Sequence, residues 1–343
     1  MHSNTQKMTQ PGDAELDGDW RRWIAENLLL HTDKRQLIDA MRRAGFDRGL
    51  IERELRLAEH HPYLMAARRL QARLDKHRWI ASALGRLEQF GSRTIERRES
   101  IDFGTFFEEF YARNRPLILT RAVGSWRALS AWSLDYIEAA VGPVVVELQA
   151  GRGADRLYEQ NSARLKRKVS WQSFLAALRD GKRSNDFYLT ANNGAANRDV
   201  LAPLWEDFGP IDGILSGHSC EQGFLWLGPS GTITPWHHDL TNNLLVQIMG
   251  HKRLTLASPA QTPLMRNHYH CYSEFGQDAT CRVADDGERP HLLHCDLAPG
   301  ELIFLPIGWW HHVEALDVSA SLTLTNFQGP NDFHRDYTTF GEL

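Results

Sequence analysis

Cysteine is scarce in this chain of 343 residues: Cys220, Cys271, Cys281 and Cys295 are the full set, with no Cys-x-x-Cys pair. That argues against a disulfide-framed secreted scaffold and leaves free thiols as the reading. Three of the four lie near His268, His270, His291 and His294. These residue types can ligate zinc, but their spacings match no common zinc pattern. No apolar run approaches the ~20 residues that carry a helix across a bilayer. The first residues, Met1 to Asp19, are polar and lack the apolar segment of a secretory signal, so a cytoplasmic location is expected. Internal repeats and low-complexity tracts are also missing.

Charge is present in both signs but unevenly spread. The net charge is −4, yet residues 1–100 hold 19 Lys+Arg against 15 Asp+Glu, a local +4 that leaves −8 for the remainder. The excess sits at Arg68, Arg69, Arg73, Lys76, Arg78, Arg86, Arg93, Arg97 and Arg98. A solvated helix face explains this most simply, and nucleic acid is not expected as a partner.

The periodicity divides the chain. Residues 1–18 read as a disordered tail, and 19–95 as a helical module for dimerisation or partner binding. Within the module, Thr32 or Asp33 caps a helix carrying Leu37, Ile38 and Met41, and Asp47 caps the next, which stops before Pro62. A longer helix is predicted from Tyr63 to Phe90. Residues 96–343 have a different texture: a helix over Ile101–Arg113, a strand at Pro116–Thr120, another at Val144–Leu148, a helix at Trp171–Leu178 and a strand at Phe187–Thr190. From Gly223 on, short β runs follow one another: Phe224–Leu227, Ile233–His237, Asn243–Ile248, Arg253–Ala257, Leu302–Leu305, His311–Ala315 and Ala320–Phe327. Strands without long helices between them predict a mainly β sandwich or barrel.

Two of these runs carry chemistry. Gly231-Thr-Ile-Thr-Pro-Trp-His-His-Asp239 places His237 and Asp239 two residues apart, on one face of a strand, with His238 turned away. Gly300-Glu-Leu-Ile-Phe-Leu-Pro-Ile-Gly-Trp-Trp-His-His-Val313 supplies a further histidine, His311 or His312. Two imidazoles and a carboxylate form the facial triad that leaves three iron positions open. Thirteen residues after Asp239 stands Lys252, in Gly250-His-Lys-Arg-Leu-Thr-Leu256. Either it or Arg253 points inward, where a cation costs several kcal/mol unless it meets an anion. An internal acid or a cosubstrate carboxylate can fill that role.

These motifs resemble the JmjC-type, cupin-like Fe(II)- and 2-oxoglutarate-dependent oxygenases. The branch most similar is that of the asparaginyl hydroxylase that inhibits hypoxia-inducible factor. The likeness is strong over about residues 220–330 and fainter back to about 100. It implies a double-stranded β-helix, the cupin or jelly-roll core, behind an N-terminal helical module. It also implies His237, Asp239 and His311 as iron ligands, the last because the family ligand follows the aromatic pair Trp309-Trp310. By the same likeness Lys252 and Thr234 hold the far carboxylate of 2-oxoglutarate, Tyr188 assists, and Asn243 and Asn326 line the pocket. His238 departs from the tyrosine often found there, and Trp236 is bulkier than usual. Only sixteen residues follow Phe327, so the dimerisation helices of that branch are expected to be missing. A homodimer would then form through the N-terminal helices.

The implied reaction takes Fe(II), 2-oxoglutarate and O2, releases succinate and CO2, and hydroxylates a C–H bond of a peptide or protein side chain. An aspartate ligand favours hydroxylation over halogenation. A free amino acid or natural product is the alternative substrate, and N-methyl-lysine demethylation is chemically open. A cupin-like binding module without catalysis is the non-enzyme alternative, and a zinc or manganese cupin would have no use for a carboxylate-anchoring lysine.

Overall fold

The computed structural model describes residues 16–217, 223–283 and 287–343. Cys220 and the first fifteen residues of the expected tail lie outside the described residues. The chain divides into two compact units, Met1–Ile80 and Ala81–Leu343.

The first unit is helical, and its boundaries follow its caps. Asp17 accepts from the Trp20 backbone N–H and opens α1 (Gly18–Leu29). Asp33 rather than Thr32 caps α2 (Lys34–Arg43), and Asp47 caps α3 (Arg48–His60). Pro62 opens α4 (Pro62–Glu88), where the ring's missing N–H costs nothing, and the helix continues past Ile80 into the second unit. Leu16, Ile24, Leu28, Leu37, Met41, Ile51, Leu55 and Leu64 form one core. Leu16 to Gly18, expected to be part of a disordered tail, are therefore structured: Leu16 is buried in that core and Asp17 caps α1.

The second unit is built on strands. In chain order they are β1 (Glu96–Arg98), β2 (Leu117–Leu119), β3 (Val145–Ala150), β4 (Lys166–Ser170) and β5 (Phe187–Tyr188). Then come β6 (Phe224–Gly228), β7 (Ile233–His238), β8 (Asn243–Met249), β9 (Lys252–Ala257) and β10 (Asn267–Tyr269). The series closes with β11 (Tyr272–Ser273), β12 (Leu293–Leu297), β13 (Leu302–Leu305), β14 (Trp310–Ala315) and β15 (Ser319–Leu324). One six-stranded sheet has the order β1-β2-β13-β8-β15-β6 and another the order β10-β11-β7-β14-β9-β12. A three-stranded sheet, β4-β3-β5, stands beside them.

Alternation decides which side chains enter the space between the large sheets. Leu245, Ile303 and Leu305 of the first sheet meet Leu254, Leu256 and Val313 of the second in one cluster. Their strand neighbours Leu244, Val246, Leu302 and Phe304 point the other way and pack with Phe106, Phe110, Trp171 and Phe174. This is the expected double-stranded β-helix.

One expected element differs. Where the pattern predicts a single helix over Ile101–Arg113, a short α-turn, Phe103–Phe106, widens into a π-helical segment, Phe107–Tyr111. The wider turn stacks Phe107 on Tyr111 at 5.3 Å and sets Tyr111 against Phe304 at 5.8 Å. No helix among the described residues is long and apolar enough to cross a membrane.

Candidate metal centre

His237 stands near the end of β7, and Asp239 just beyond it. The β7–β14 register places His311 directly opposite His237 across the antiparallel pair. The two rings lie 4.1 Å apart between centroids. His237 Nε2 is 3.8 Å from Asp239 Oδ1, and His311 Nε2 is 3.9 Å from Oδ2. The three donor atoms lie within 4.8 Å of one another.

The surrounding hydrogen bonds leave those donors free. His237 Nδ1 donates to the Pro235 carbonyl at 2.8 Å, and His311 Nδ1 to the Trp309 carbonyl at 2.9 Å. Each bond fixes the tautomer that exposes Nε2 as a lone-pair donor. Asn243 Nδ2 donates to Asp239 Oδ2 at 3.0 Å. Burial, then the neighbouring His311, hold the His237 pKa well below the usual imidazole range, so the ring is neutral at pH 7. Burial works against the Asp239 carboxylate, but His311 and His237 outweigh it and keep its pKa low.

The strand alternation that brings His311 in takes His312 out. His312 is bonded through Nε2 to the Gln277 carbonyl at 3.1 Å, and burial pulls its pKa down to about 4. His238 likewise turns to Trp310, 4.8 Å away edge-on.

The triad opens on a cavity of about 290 Å³ between the two large sheets. Thr234, Asn243, Tyr188 and Lys252 all line it. Lys252 is 2% exposed, and its Nζ donates to Ser321 Oγ at 2.5 Å and to Tyr188 Oη at 3.2 Å. No carboxylate among these partners balances it, and burial alone pulls its pKa from 10.5 to about 7. Arg253, the other candidate for an inward cation, is exposed and holds Asp296 with two 2.9 Å bonds.

Asn326 is not brought to this cavity. The sequence pattern carries the last strand to Phe327, but β15 stops at Leu324, so alternation no longer directs residue 326. Its amide instead donates to the Ser216 carbonyl at 2.8 Å.

Other residues of the site have weaker sequence signals. Ser321 was marked only by the alternation of Ser319, Ser321 and Thr323 with Ala320, Leu322 and Leu324, which pack in the outer core. Arg152 and Glu159 sit in irregular segments with no pattern to betray them. Arg152 is fully buried, lies 4.3 Å from the Tyr158 ring and 5.1 Å from that of Tyr188, and stands 3.0 Å from Glu159. Its Nη2 donates to the Ile233 carbonyl at 2.7 Å, which ties the start of β7 to the floor under Tyr188. Glu159 and Tyr272 line both this cavity and an adjoining one of about 390 Å³.

Cys271, Cys281 and Cys295 are free, and burial pushes each thiol up to about 12. Among the described residues they join no cluster of metal-ligating groups; only the triad does.

Comparison with known proteins adds a family. The family described as the cupin-like domain matches residues 104–332. Lysine-specific demethylase JMJ30 of Arabidopsis thaliana is 27% identical over 242 residues, 67% of this chain and 54% of its own length. Lysine-specific demethylase 8 of Xenopus tropicalis is 27% identical over 231 residues, 64% of this chain and 49% of its own. The bifunctional peptidase and (3S)-lysyl hydroxylase JMJD7 of Homo sapiens is 25% identical over 274 residues, 68% of this chain and 83% of its own. The chain thus spans about half the length of the two demethylases.

Proposed function

The chain belongs to the cupin-like domain family, and from that premise we propose that it is an Fe(II)- and 2-oxoglutarate-dependent oxygenase. It hydroxylates a C–H bond of a peptide or protein side chain and releases succinate and CO2. One observation carries this reading: two free imidazole nitrogens and a carboxylate converge on a cavity that also holds the buried amine of Lys252, whose hydrogen-bond partners among the described residues are the hydroxyls of Tyr188 and Ser321.

The donor set fits iron. Two neutral nitrogens and one carboxylate leave a divalent ion with a single positive charge and open positions on one face. The rest of the cavity fits a dicarboxylate, because a carboxylate beside Lys252 supplies the anion its burial calls for, with Tyr188 and Thr234 on the cavity wall as hydroxyl donors, while Ser321 Oγ, behind the wall, accepts from Lys252 Nζ. When bound, iron and 2-oxoglutarate supply oxygen activation coupled to loss of CO2, with one oxygen atom delivered to the substrate carbon. Asn243 holds Asp239 in its ligating orientation. Tyr272 and Glu159 form the neck through which a side chain reaches the triad.

The names of the relatives point to lysine, as demethylation or hydroxylation, while the motif likeness points to asparagine. Both are polypeptide side chains, and product mass separates the two reactions: gain of one oxygen marks hydroxylation, loss of a methyl group with formaldehyde marks demethylation, while fragment masses tell lysine from asparagine. Turnover of a free amino acid or natural product without any peptide would favour the small-molecule alternative. The N-terminal helices are proposed as a partner-binding or dimerisation arm, since α4 leaves Leu70, Leu74 and Trp79 exposed.

The test is an anaerobic titration of metal-free protein with Fe(II) and then 2-oxoglutarate, followed by the visible charge-transfer band, with Asp239→Ala as control. The band is expected in the wild type alone. A folded wild-type protein without it would sink the reading in favour of a silent cupin or another metal.

A further inference from the structure

Residues 333–343 lie beyond the matched domain, yet their last three, 341–343, pair with the outer edge of the sheet that carries the triad. That edge is β10. The His270 backbone N–H donates to the Gly341 carbonyl at 2.8 Å, and the Leu343 N–H to the His268 carbonyl at 2.9 Å. Tyr269 and Glu342 form an antiparallel bridge between them. His270 Nδ1 also meets Tyr337 Oη at 3.0 Å, and its ring lies 5.3 Å from that of Tyr337 and 5.4 Å from that of Phe340.

We infer that the β10 edge is a docking strand for an extended polypeptide, and that residues 341–343 are its displaceable occupant within the chain. Three observations carry this. The edge is braced from within: the Asn267 amide donates to the His270 and Tyr272 carbonyls at 3.0 and 2.8 Å, holding a turn in which His270 takes φ +43°. The hairpin therefore keeps its shape whether or not a chain is paired to it. The present occupant is lightly held, by two backbone bonds, the single side-chain bond of Tyr337 to His270, and apolar side chains that stay open to water, with Phe340 58% and Leu343 59% exposed. Finally, the same hairpin walls the site. Cys271 and Tyr272 line the metal cavity, and His268, Tyr272, Ser273 and Glu274 line the cavity beside it. The Tyr272 ring stands 6.2 Å from both the His270 and His237 rings.

Strand addition takes its affinity from main-chain bonds and its selectivity from alternate side chains. Here the incoming chain takes the places of Gly341 and Leu343 and offers an aromatic residue to stack on His270, as Phe340 does. Residues flanking the paired stretch then turn into the adjoining cavity, whose neck at Tyr272 and Glu159 leads to the triad. Identification of that chain as the substrate rests on the proposed hydroxylase function; the docking edge itself does not.

The experiment follows a fluorescently labelled synthetic peptide of residues 333–343, titrated by anisotropy into the full chain and into a chain ending at Asp332. The shortened chain is expected to bind saturably, and the full chain at least tenfold more weakly because its own segment holds the edge. N-methylation of the peptide at Leu343 removes the donor to His268 and should weaken binding at least tenfold. In the full chain, Tyr337→Ala with Phe340→Ala loosens the segment without shortening the protein, and peptide affinity should rise over wild type. That variant decides the matter if the shortened chain does not fold. Equal binding by both chains, no gain in the double variant, or a concentration-dependent dimer that exchanges these segments would each overturn the proposal. The titration uses neither metal nor 2-oxoglutarate, so a missing charge-transfer band and a missing docking edge remain separate outcomes.

Discussion

Lys252 concentrates the electrostatics of the site in one side chain. Burial holds its pKa near 7, so the free protein carries this ammonium only in part at neutral pH. A carboxylate placed against it favours the charged form, and binding therefore takes up a proton once the pH exceeds about 7. Affinity for 2-oxoglutarate is expected to fall as pH rises from 7 to 9, by at most about tenfold per unit. Titration of the charge-transfer band at each pH measures it, and a flat profile would remove Lys252 as the anchor. Lys252→Ala should flatten the profile and raise the 2-oxoglutarate requirement by roughly 10- to 100-fold, the worth of about 1.5–3 kcal/mol in a charged hydrogen bond. The same depressed pKa bears on stability. Between about 7 and 10.5 the folded chain binds fewer protons here than the unfolded chain, so this residue's contribution to stability rises with pH across that window.

The turn that delivers Lys252 shows how the elements position the site. Gly250 joins β8 to β9 at φ +68°, and a Cβ there would collide with the Val318 carbonyl and the Asp317 carboxylate. Gly250→Ala is expected to cost about 1–3 kcal/mol through backbone strain, with further loss from that collision, seen as a lower denaturant midpoint. It should also weaken 2-oxoglutarate binding, because Lys252 lies two residues on; wild-type stability would contradict the geometry. Much of this framework was legible in the pattern. The runs at 224, 233, 243, 253, 302, 311 and 320 became β6 to β9 and β13 to β15, since short apolar runs bounded by turn residues mark strands that, like β8, β13 and β15, are buried on both faces. The His237–Asp239 spacing reads from strand alternation. The choice of His311 over His312 does not, because both sit on one strand and only the register with β7 decides which face meets the cavity. Asn326 was misplaced where that strand ends early. The hairpin β10–β11 escaped notice because strands of three and two residues carry no readable period. Arg152 and Glu159 escaped because their places are set by tertiary packing alone.

At the scale of the whole molecule, two cores of different kinds share one chain. The helical unit closes around Met41 and Ile51, both fully buried, while the strand unit closes around the sheets and their flanking helices. Iron and 2-oxoglutarate, on the proposed reading, touch only the second, since every residue of the triad and its cavity falls between 159 and 325. A ligand stabilises only the unit whose folded state it binds, by about 2.7 kcal/mol at a hundredfold excess over its Kd. Calorimetry should therefore resolve two transitions, with Mn(II) as an oxygen-inert substitute for iron and 2-oxoglutarate raising one of them by roughly 5–10 °C. Met41→Ala should lower the other, at a cost of about 2–5 kcal/mol for the cavity it opens, and leave the ligand-responsive transition in place. A single transition that shifts as a whole with ligand would instead show that the helical unit does not unfold independently of the strand unit. In that case Met41→Ala would weaken 2-oxoglutarate binding despite its place outside the site.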